Sequence, residues 1–211
     1  MMAQIYGSSL FLSGGIRSNI SKFLLHALSS ILIFAYLRAA GLKYLLAIPP
    51  ALLPLGGALL SARNTIQLVS GKEAEEKVVE ALSRLDDRFR VIRNYRYPGG
   101  DIDVLVIGPS GVFVLEVKRV RGKVKSTMEG VVYGGKNFYE QLMGGVDYIS
   151  RKLPEYARRH VKWAVVVDGG KIERKIGGKP VLRWWDVPRF VSRGRFLSEE
   201  DIEEVMEVLG I

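Results

Sequence analysis

Long uncharged runs fill the N-terminal part of the chain. Residues 23–37 and 44–62 carry no formal charge, and no acidic side chain occurs before Glu73. A helix as long as the second run extends roughly 28 Å at about 1.5 Å per residue, which is close to the hydrocarbon thickness of a bilayer. The first run reaches that length only if its flanking residues contribute.

This pattern predicts that residues 1–63 anchor the chain in a membrane as a hydrophobic helical hairpin. We expect its helices over about residues 20–38 and 44–62, with lipid contacts through residues 20–62. A re-entrant or interfacial helix pair and a buried soluble hairpin stay open as alternatives. A cleaved signal peptide is disfavoured because a second apolar run follows the first.

Beyond residue 63 the apolar spacing becomes that of an α/β domain, residues 64–211. Alternating residues predict strands over 101–108 and 111–118, and the link Pro109-Ser110-Gly111 has the composition of a tight turn, so the two strands form a hairpin. The same spacing rules predict helices over 71–85 and 137–153, strands over 161–167 and 180–185, and a capped helix from Ser198 to about Leu209.

Charged side chains close both strands of the predicted hairpin. Asp103 shares one face with the interior of the first strand, and Glu116 and Lys118 share one face of the second. Two carboxylates brought together repel each other unless a cation lies between them, and Mg²⁺, with Mn²⁺ as an alternative, prefers such oxygen ligands. Such an ion activates water for attack on a phosphodiester. From these three residues alone, a salt-bridged strand end remains an equal alternative.

A fourth charged residue lies on an apolar stripe upstream. Glu75 precedes Val78, Val79 and Leu82 at the spacing of one helix face. Because an unpaired charge is costly to bury, this acid needs a partner, which a nearby metal site would provide. The alternative is that Glu75 lies near a helix N-terminus, where the helix dipole favours acids.

These residues resemble the nuclease-related domain (NERD) family of the PD-(D/E)XK nuclease superfamily, over roughly residues 69–190. The resemblance is carried by Glu75, Ile102-Asp103, Gly111-Val112-Phe113 and Glu116-Val117-Lys118. It implies a restriction-endonuclease-like fold, an α/β architecture in which helices flank a mixed central sheet.

The same resemblance implies roles for individual residues. Asp103 and Glu116 would be the metal ligands, Lys118 the catalytic lysine and Glu75 the acid of the first helix. Gln141 would belong to an Asn-Pro-x-x-Gln element that here begins at Asn137. The chain departs from the family pattern where Phe138 replaces the proline and Val104 a frequent histidine, and it lacks the tryptophan expected before Asn137.

The charge distribution adds a candidate nucleic-acid surface. The formal net charge is +9, and four basic residues follow the proposed catalytic strand: Arg119, Arg121, Lys123 and Lys125. We expect them to contact DNA phosphates, with anionic lipid as the alternative. The absence of cysteine excludes disulfides and thiol catalysis. Trp163, Trp184 and Trp185 fall in predicted strands, where aromatic side chains pack into cores more often than they stack on bases.

Two classes of function remain open on the sequence. The favoured one is a membrane-anchored, Mg²⁺-dependent nuclease that cleaves DNA, with its catalytic domain facing the cytoplasm and no organic cofactor. The alternative is a non-catalytic module that binds nucleic acid or protein at the membrane on the same fold. The sequence leaves open whether the chain self-associates as a homo-oligomer.

Overall fold

The computed structural model describes residues 2–6, 10–41 and 44–211 of the chain. Its helices are α1 (Leu10–Ala39), α2 (Tyr44–Leu82), α3 (Phe138–Lys152), α4 (Glu155–Arg158), α5 (Val187–Val191) and α6 (Glu199–Leu209). Its strands are β1 (Gln4–Tyr6), β2 (Arg90–Tyr97), β3 (Gly100–Gly108), β4 (Gly111–Arg119), β5 (Lys123–Ser126), β6 (Val131–Tyr133), β7 (Lys136–Asn137), β8 (Val161–Asp168), β9 (Lys171–Arg174) and β10 (Val181–Arg183).

A mixed six-stranded sheet forms the centre of the domain, in the order β1-β2-β3-β4-β8-β10. Strands β2, β3 and β4 are antiparallel neighbours, whereas β1, β8 and β10 each pair in parallel. Helices cover the sheet, so the predicted α/β architecture with a mixed central sheet flanked by helices is confirmed.

The two faces of the sheet bury separate apolar clusters. On one face, Leu105 and Val114 pack in the same cluster as Leu142 of α3 and Ile202 of α6. On the other, the alternate strand positions pack against the C-terminal part of α2 and against α5, through Val78, Leu82, Val104, Leu115 and Val187. A sheet covered on both faces explains why its central strands are almost continuously apolar.

The predicted β3–β4 hairpin is present, with Gly108 opposite Gly111 at its tip. Gly111 has a φ of +123°, which other residues rarely adopt. A Cβ at this position would lie 2.3 Å from the carbonyl oxygen of His160. The turn therefore requires glycine both for its backbone conformation and for the close approach of the segment before β8.

Short strands beyond the main sheet were absent from the sequence prediction. Strands β5, β6, β7 and β9 form a second sheet in the order β7-β6-β5-β9. Strands β5 and β9 pair in parallel, as do β4 and β8, which precede them in the chain. The second sheet thus follows the carboxyl ends of β4 and β8, where Asp103, Glu116 and Lys118 were expected.

The structure differs from the prediction in three further respects. Residues Gln4–Tyr6 form strand β1, which pairs with β2 of the domain, although no strand was predicted before residue 63. Helix α2 runs without interruption to Leu82, so the helix predicted from residue 71 is its continuation, because only Gly71 in this stretch disfavours a helix. The last predicted strand, 180–185, ends at Arg183, and Trp184–Asp186 form a 3₁₀ turn.

The structure divides the chain into two compact units. One unit joins Met1–Ser8 to Glu73–Ile211, and the other comprises Ser9–Lys72. Within the described residues, one helical stretch, Ile16–Ala39, is long and apolar enough to cross a membrane. The predicted turn at 38–43 begins after Ala39, and its residues 42 and 43 lie outside the described residues.

Candidate active site

The candidate active site lies where strands β3 and β4 diverge. Their regular pairing ends at Val104 opposite Leu115, and the next pair of positions is Asp103 and Glu116. The Asp103 carboxylate accepts a hydrogen bond of 2.7 Å from the backbone N–H of Val117. Continued strand pairing would give the Val117 N–H a backbone acceptor. The Asp103 side chain takes that place, and the bond fixes its carboxylate against β4.

Lys118 links the two carboxylates. Its Nζ lies 3.4 Å from Oδ2 of Asp103 and also contacts Oε1 of Glu116. Nearby negative charges raise the pKa of Lys118 despite its burial, so the ammonium stays charged near neutral pH. The structure thus brings together the three residues that the spacing along the two strands had singled out.

Glu116 is the most deeply buried acid of the cluster, with 2% of the residue exposed. Burial, and then the charge of Asp103, raise its pKa from 4.5 to about 7, although Lys118 acts in the opposite direction. Its Oε1 is buried, and among the described residues the short ion pair with Lys118 Nζ is its only polar contact. Two carboxylates, Asp103 and Glu116, therefore share one ammonium.

Glu75 completes a group of four charged side chains. Helix α2 brings this residue to the cluster, where its Oε2 is buried without a hydrogen-bond partner. Burial first, and then the charge of Asp103, raise the pKa of Glu75 to about 7, while Lys118 and Arg93 lower it. The opposing influences of Asp103 and Lys118 indicate that Glu75 adjoins the strand residues, as its place on the apolar stripe predicted.

The donor set fits a hard divalent cation. Asp103 and Glu116 offer only carboxylate oxygens, and Lys118 supplies the one positive charge that both of them contact. No group of three or more His, Cys, Asp or Glu side chains within the described residues could hold a metal ion. A site with two carboxylates suits Mg²⁺, which is usually bound by one or two protein carboxylates and completed by water and phosphate.

Gln141 lies on the exposed side of α3, and its side-chain amide forms no hydrogen bond with any residue that the structure describes. Asn137 of the same element is the N-cap of α3. Its Oδ1 accepts from the backbone N–H of Tyr139 and of Val131, at 3.2 Å each. The structure thus gives Asn137 a structural role, whereas no protein contact accounts for the amide of Gln141.

The four predicted phosphate contacts divide into two pairs. Arg119 forms an ion pair with Glu73, and Lys123 forms one with Glu173 at 3.0 Å. Arg121 and Lys125 are exposed. Because carboxylates neutralise Arg119 and Lys123, the basic run offers less free positive charge to DNA than the sequence alone suggests.

Residues of β2 that the sequence reasoning missed also border the site. Arg93 influences the ionisation of Glu75, and its Nε is buried without a hydrogen-bond partner. Asn94, opposite Asp103 in the register of β2 and β3, has a φ of +52° and is the only non-glycine residue with positive φ in the described part of the chain. No local sequence signal distinguishes them, since their place at the site depends on the pairing of β2 with β3.

Tyr97 marks the rim of the site. Burial, followed by the charges of Glu116 and Asp101, raises the pKa of its phenol. Its ring packs against Tyr148, with the centroids 5.1 Å apart. A Cβ on Gly144 would lie 3.1 Å from the Tyr97 hydroxyl, which explains why α3 carries glycine at this point.

Comparison with known proteins agrees with this geometry. The model of a family described as "NERD: Nuclease-related domain" matches residues 70–167, so the resemblance inferred from the motifs is confirmed. The matched segment contains all four residues of the charged cluster, together with Gln141 and the basic run. No curated protein and no solved structure matches the chain.

Proposed function

We propose that this chain, which carries a nuclease-related domain over residues 70–167, is a membrane-anchored, Mg²⁺-dependent nuclease that hydrolyses DNA phosphodiester bonds. One observation carries the proposal: Asp103 and Glu116 meet at a strand divergence and share the single ammonium of Lys118. A salt bridge alone leaves this cluster with an excess negative charge, which a bound cation would neutralise.

In this proposal Asp103 and Glu116 hold Mg²⁺, with Mn²⁺ as a substitute. When bound, the ion polarises a phosphoryl group and lowers the pKa of water, which supplies a nucleophile near neutral pH. Lys118, charged and 3.4 Å from Asp103, stabilises the negative charge that develops on the scissile phosphate. Glu75 accepts a proton or orients water, since its pKa of about 7 suits that exchange.

The remaining predicted residues would act on DNA rather than on the reacting phosphorus. Gln141 has a free amide, which is available to a nucleotide. Arg121 and Lys125 would contact phosphates directly, and Arg119 and Lys123 would contribute after exchange of their protein carboxylates for phosphate.

The decisive assay uses the full-length chain in detergent micelles with labelled DNA. We expect cleavage with Mg²⁺ or Mn²⁺, none with EDTA, and none in Glu116→Gln or Lys118→Ala. Glu80→Gln is the matched control, because Glu80 is an exposed acid of the same helix as Glu75. A protein that binds DNA without cleaving it under any of these conditions would instead be the non-catalytic binding module.

The packing of α1 and α2 supports the membrane anchor. Small residues are buried in this helical unit: Ser30, Ala58 and Ser61. Gly57 allows α2 to approach His26 of α1, whose ring would lie 2.9 Å from an added Cβ. Large apolar side chains instead face outward, among them Phe23, Leu24, Leu25, Leu28, Ile31, Leu32, Leu59 and Leu60. Small residues inside and large apolar residues outside are typical of helices packed in lipid, where there is no hydrophobic drive to bury leucine.

Strand β1 constrains how the helical unit would cross a membrane. Because β1 is hydrogen-bonded to β2 of the domain, both ends of Ser9–Lys72 lead into one folded unit on one side of the membrane. A single crossing by Ile16–Ala39 would separate these strands, so α2 must return across the membrane or neither helix spans it. We propose the hairpin, with the nuclease domain facing the cytoplasm, where DNA is available.

Cysteine labelling tests this topology, since the chain contains no natural cysteine. Single cysteines introduced by Met2→Cys and Glu200→Cys should both react with a membrane-impermeant maleimide only after cells are permeabilised. Labelling of the two positions from opposite sides would contradict the hairpin. Release of the chain from membranes by high salt alone would contradict a spanning anchor.

A further inference from the structure

Trp185 is an exposed aromatic side chain at the edge of the domain. The sequence placed it in a strand, but the chain leaves β10 after Arg183, and Trp185 lies in the following 3₁₀ turn. Its residue surface is 57% exposed, whereas Trp163 and Trp184 are half-buried. Trp184 packs against the core cluster on the α2 face, which leaves the ring of Trp185 outside the core.

Neighbouring side chains hold this exposed ring in place. Trp184 meets it edge to face, with the ring centroids 5.2 Å apart and the planes at 83°. The guanidinium of Arg183 lies 5.8 Å from the Trp185 centroid. That guanidinium is itself fixed, since Nη2 donates to the carbonyl of Gly170 at 2.6 Å and Nη1 donates to the carbonyl of Gly169. Stacking on a ring that is already ordered costs little conformational entropy.

The strand register relates Trp185 to the charged cluster. Strands β4, β8 and β10 are parallel, so their carboxyl ends lie at one edge of the sheet. Lys118 of β4 and Arg183 of β10 both pair with Val167 of β8 and therefore lie in one row. Two strand spacings separate Arg183 from Lys118, which is roughly 10 Å. Trp185 follows Arg183 by two residues at the same edge.

We propose that Trp185 is a stacking platform for an unpaired nucleobase of the DNA strand that occupies the active site. The proposal rests on the nuclease function and adds to it a preference for single-stranded or frayed DNA. Bases of an intact duplex are stacked on one another, whereas an unpaired base exposes a face that an aromatic ring can cover. Asp186, the next residue, is also exposed, and its negative charge disfavours an anionic lipid surface as the occupant of this edge.

Binding by the full-length chain in detergent micelles, with EDTA present to prevent cleavage, tests the platform. The probes are a short fluorescein-labelled oligo(dT) and a duplex of the same length. We expect Trp185→Ala to weaken oligo(dT) binding on the order of tenfold and to leave duplex binding unchanged, while Trp185→Phe retains most of the affinity. Phe196→Ala is the matched control, because Phe196 is exposed by 51% but contacts Pro109 at the opposite end of β4.

Each outcome bears on a different claim. Unchanged oligo(dT) binding by Trp185→Ala would overturn the platform and leave the nuclease function intact. Failure of the wild-type chain to bind either probe would overturn both. Reconstitution in vesicles with brominated acyl chains tests the competing assignment of Trp185 to a membrane interface. Tryptophan quenching there that disappears in Trp185→Phe would place the ring in lipid and overturn the platform.

Discussion

Replacing Glu116 by glutamine should stabilise the metal-free protein while abolishing its activity. The pKa of Glu116 rises from 4.5 to about 7 in the folded chain, chiefly through burial and then through the charge of Asp103. That difference corresponds to about 3 kcal/mol at about 1.36 kcal/mol per pH unit. Part of this shift comes from the charge of Glu75. We therefore expect Glu116→Gln to raise the free energy of unfolding by about 2 to 3 kcal/mol above neutral pH.

The sign of the pH dependence follows from proton linkage. The folded protein binds the Glu116 proton more tightly than the unfolded chain, so the stability associated with that proton is fully present below about pH 4.5. It is lost as the pH rises through about 7. The advantage of Glu116→Gln should therefore be largest near pH 8 and nearly absent near pH 4. Saturating Mg²⁺ should stabilise the wild type but not the variant, since a ligand stabilises only the state that binds it.

Urea unfolding of the full-length chain in micelles, followed by tryptophan fluorescence, measures these differences. All three tryptophans lie in the Glu73–Ile211 unit and report on it directly. Glu80→Gln should change stability by no more than about 0.5 kcal/mol, because its ion pair with Arg84 is exposed. A Glu116→Gln variant less stable than the wild type near pH 8 in EDTA would refute the reasoning, as would an equal gain near pH 4.

Three further outcomes are expected. Mg²⁺ affinity measured by calorimetry should fall as the pH is lowered from about 8 to about 6. The carboxyl of Glu116, with its pKa of about 7, must lose its proton to bind the ion. An affinity that does not change with pH would argue against Glu116 as a ligand. Asn94→Ala should lower the free energy of urea unfolding by about 1 kcal/mol, because alanine tolerates the φ of +52° poorly. Asn94→Gly should stay near the wild-type value. Equal stabilities of the two variants would show that the backbone conformation carries no strain. Gly111→Ala should lower stability by at least about 2 kcal/mol in the same assay, since its Cβ would lie 2.3 Å from the carbonyl oxygen of His160. An unfolding midpoint equal to that of the wild type would mean that the turn rearranges freely.

Local sequence patterns were sufficient to predict the elements that carry the candidate site. Period-two alternation and the Pro109-Ser110-Gly111 turn predicted the hairpin, and the same alternation placed Glu116 and Lys118 on one strand face. The helical stripe predicted that Glu75 points inward. Strand pleating and helical repeat depend on neighbouring residues, so these features are readable before any tertiary contact is known.

Other features of the site depend on residues distant in the chain. The pairing of Arg119 with Glu73 and of Lys123 with Glu173 reduces the free positive charge of the basic run, and no spacing rule indicates either partner. The left-handed backbone of Asn94 opposite Asp103 likewise emerges only when β2 is paired with β3. Such features arise from contacts between separate elements, which local periodicity does not encode.

The sequence by itself determined the α/β character of the domain, the apolar N-terminal segment and the three charged residues at the end of the hairpin. Tertiary structure decided that β1, from the start of the chain, joins the edge of the domain sheet. It also decided that the charge of Asp103 acts on Glu75 and that Trp185 stays outside the core. The physical reason is that parallel strands pair through backbone hydrogen bonds, which any residue except proline can donate. The side chains of β1 therefore do not indicate which strand it pairs with.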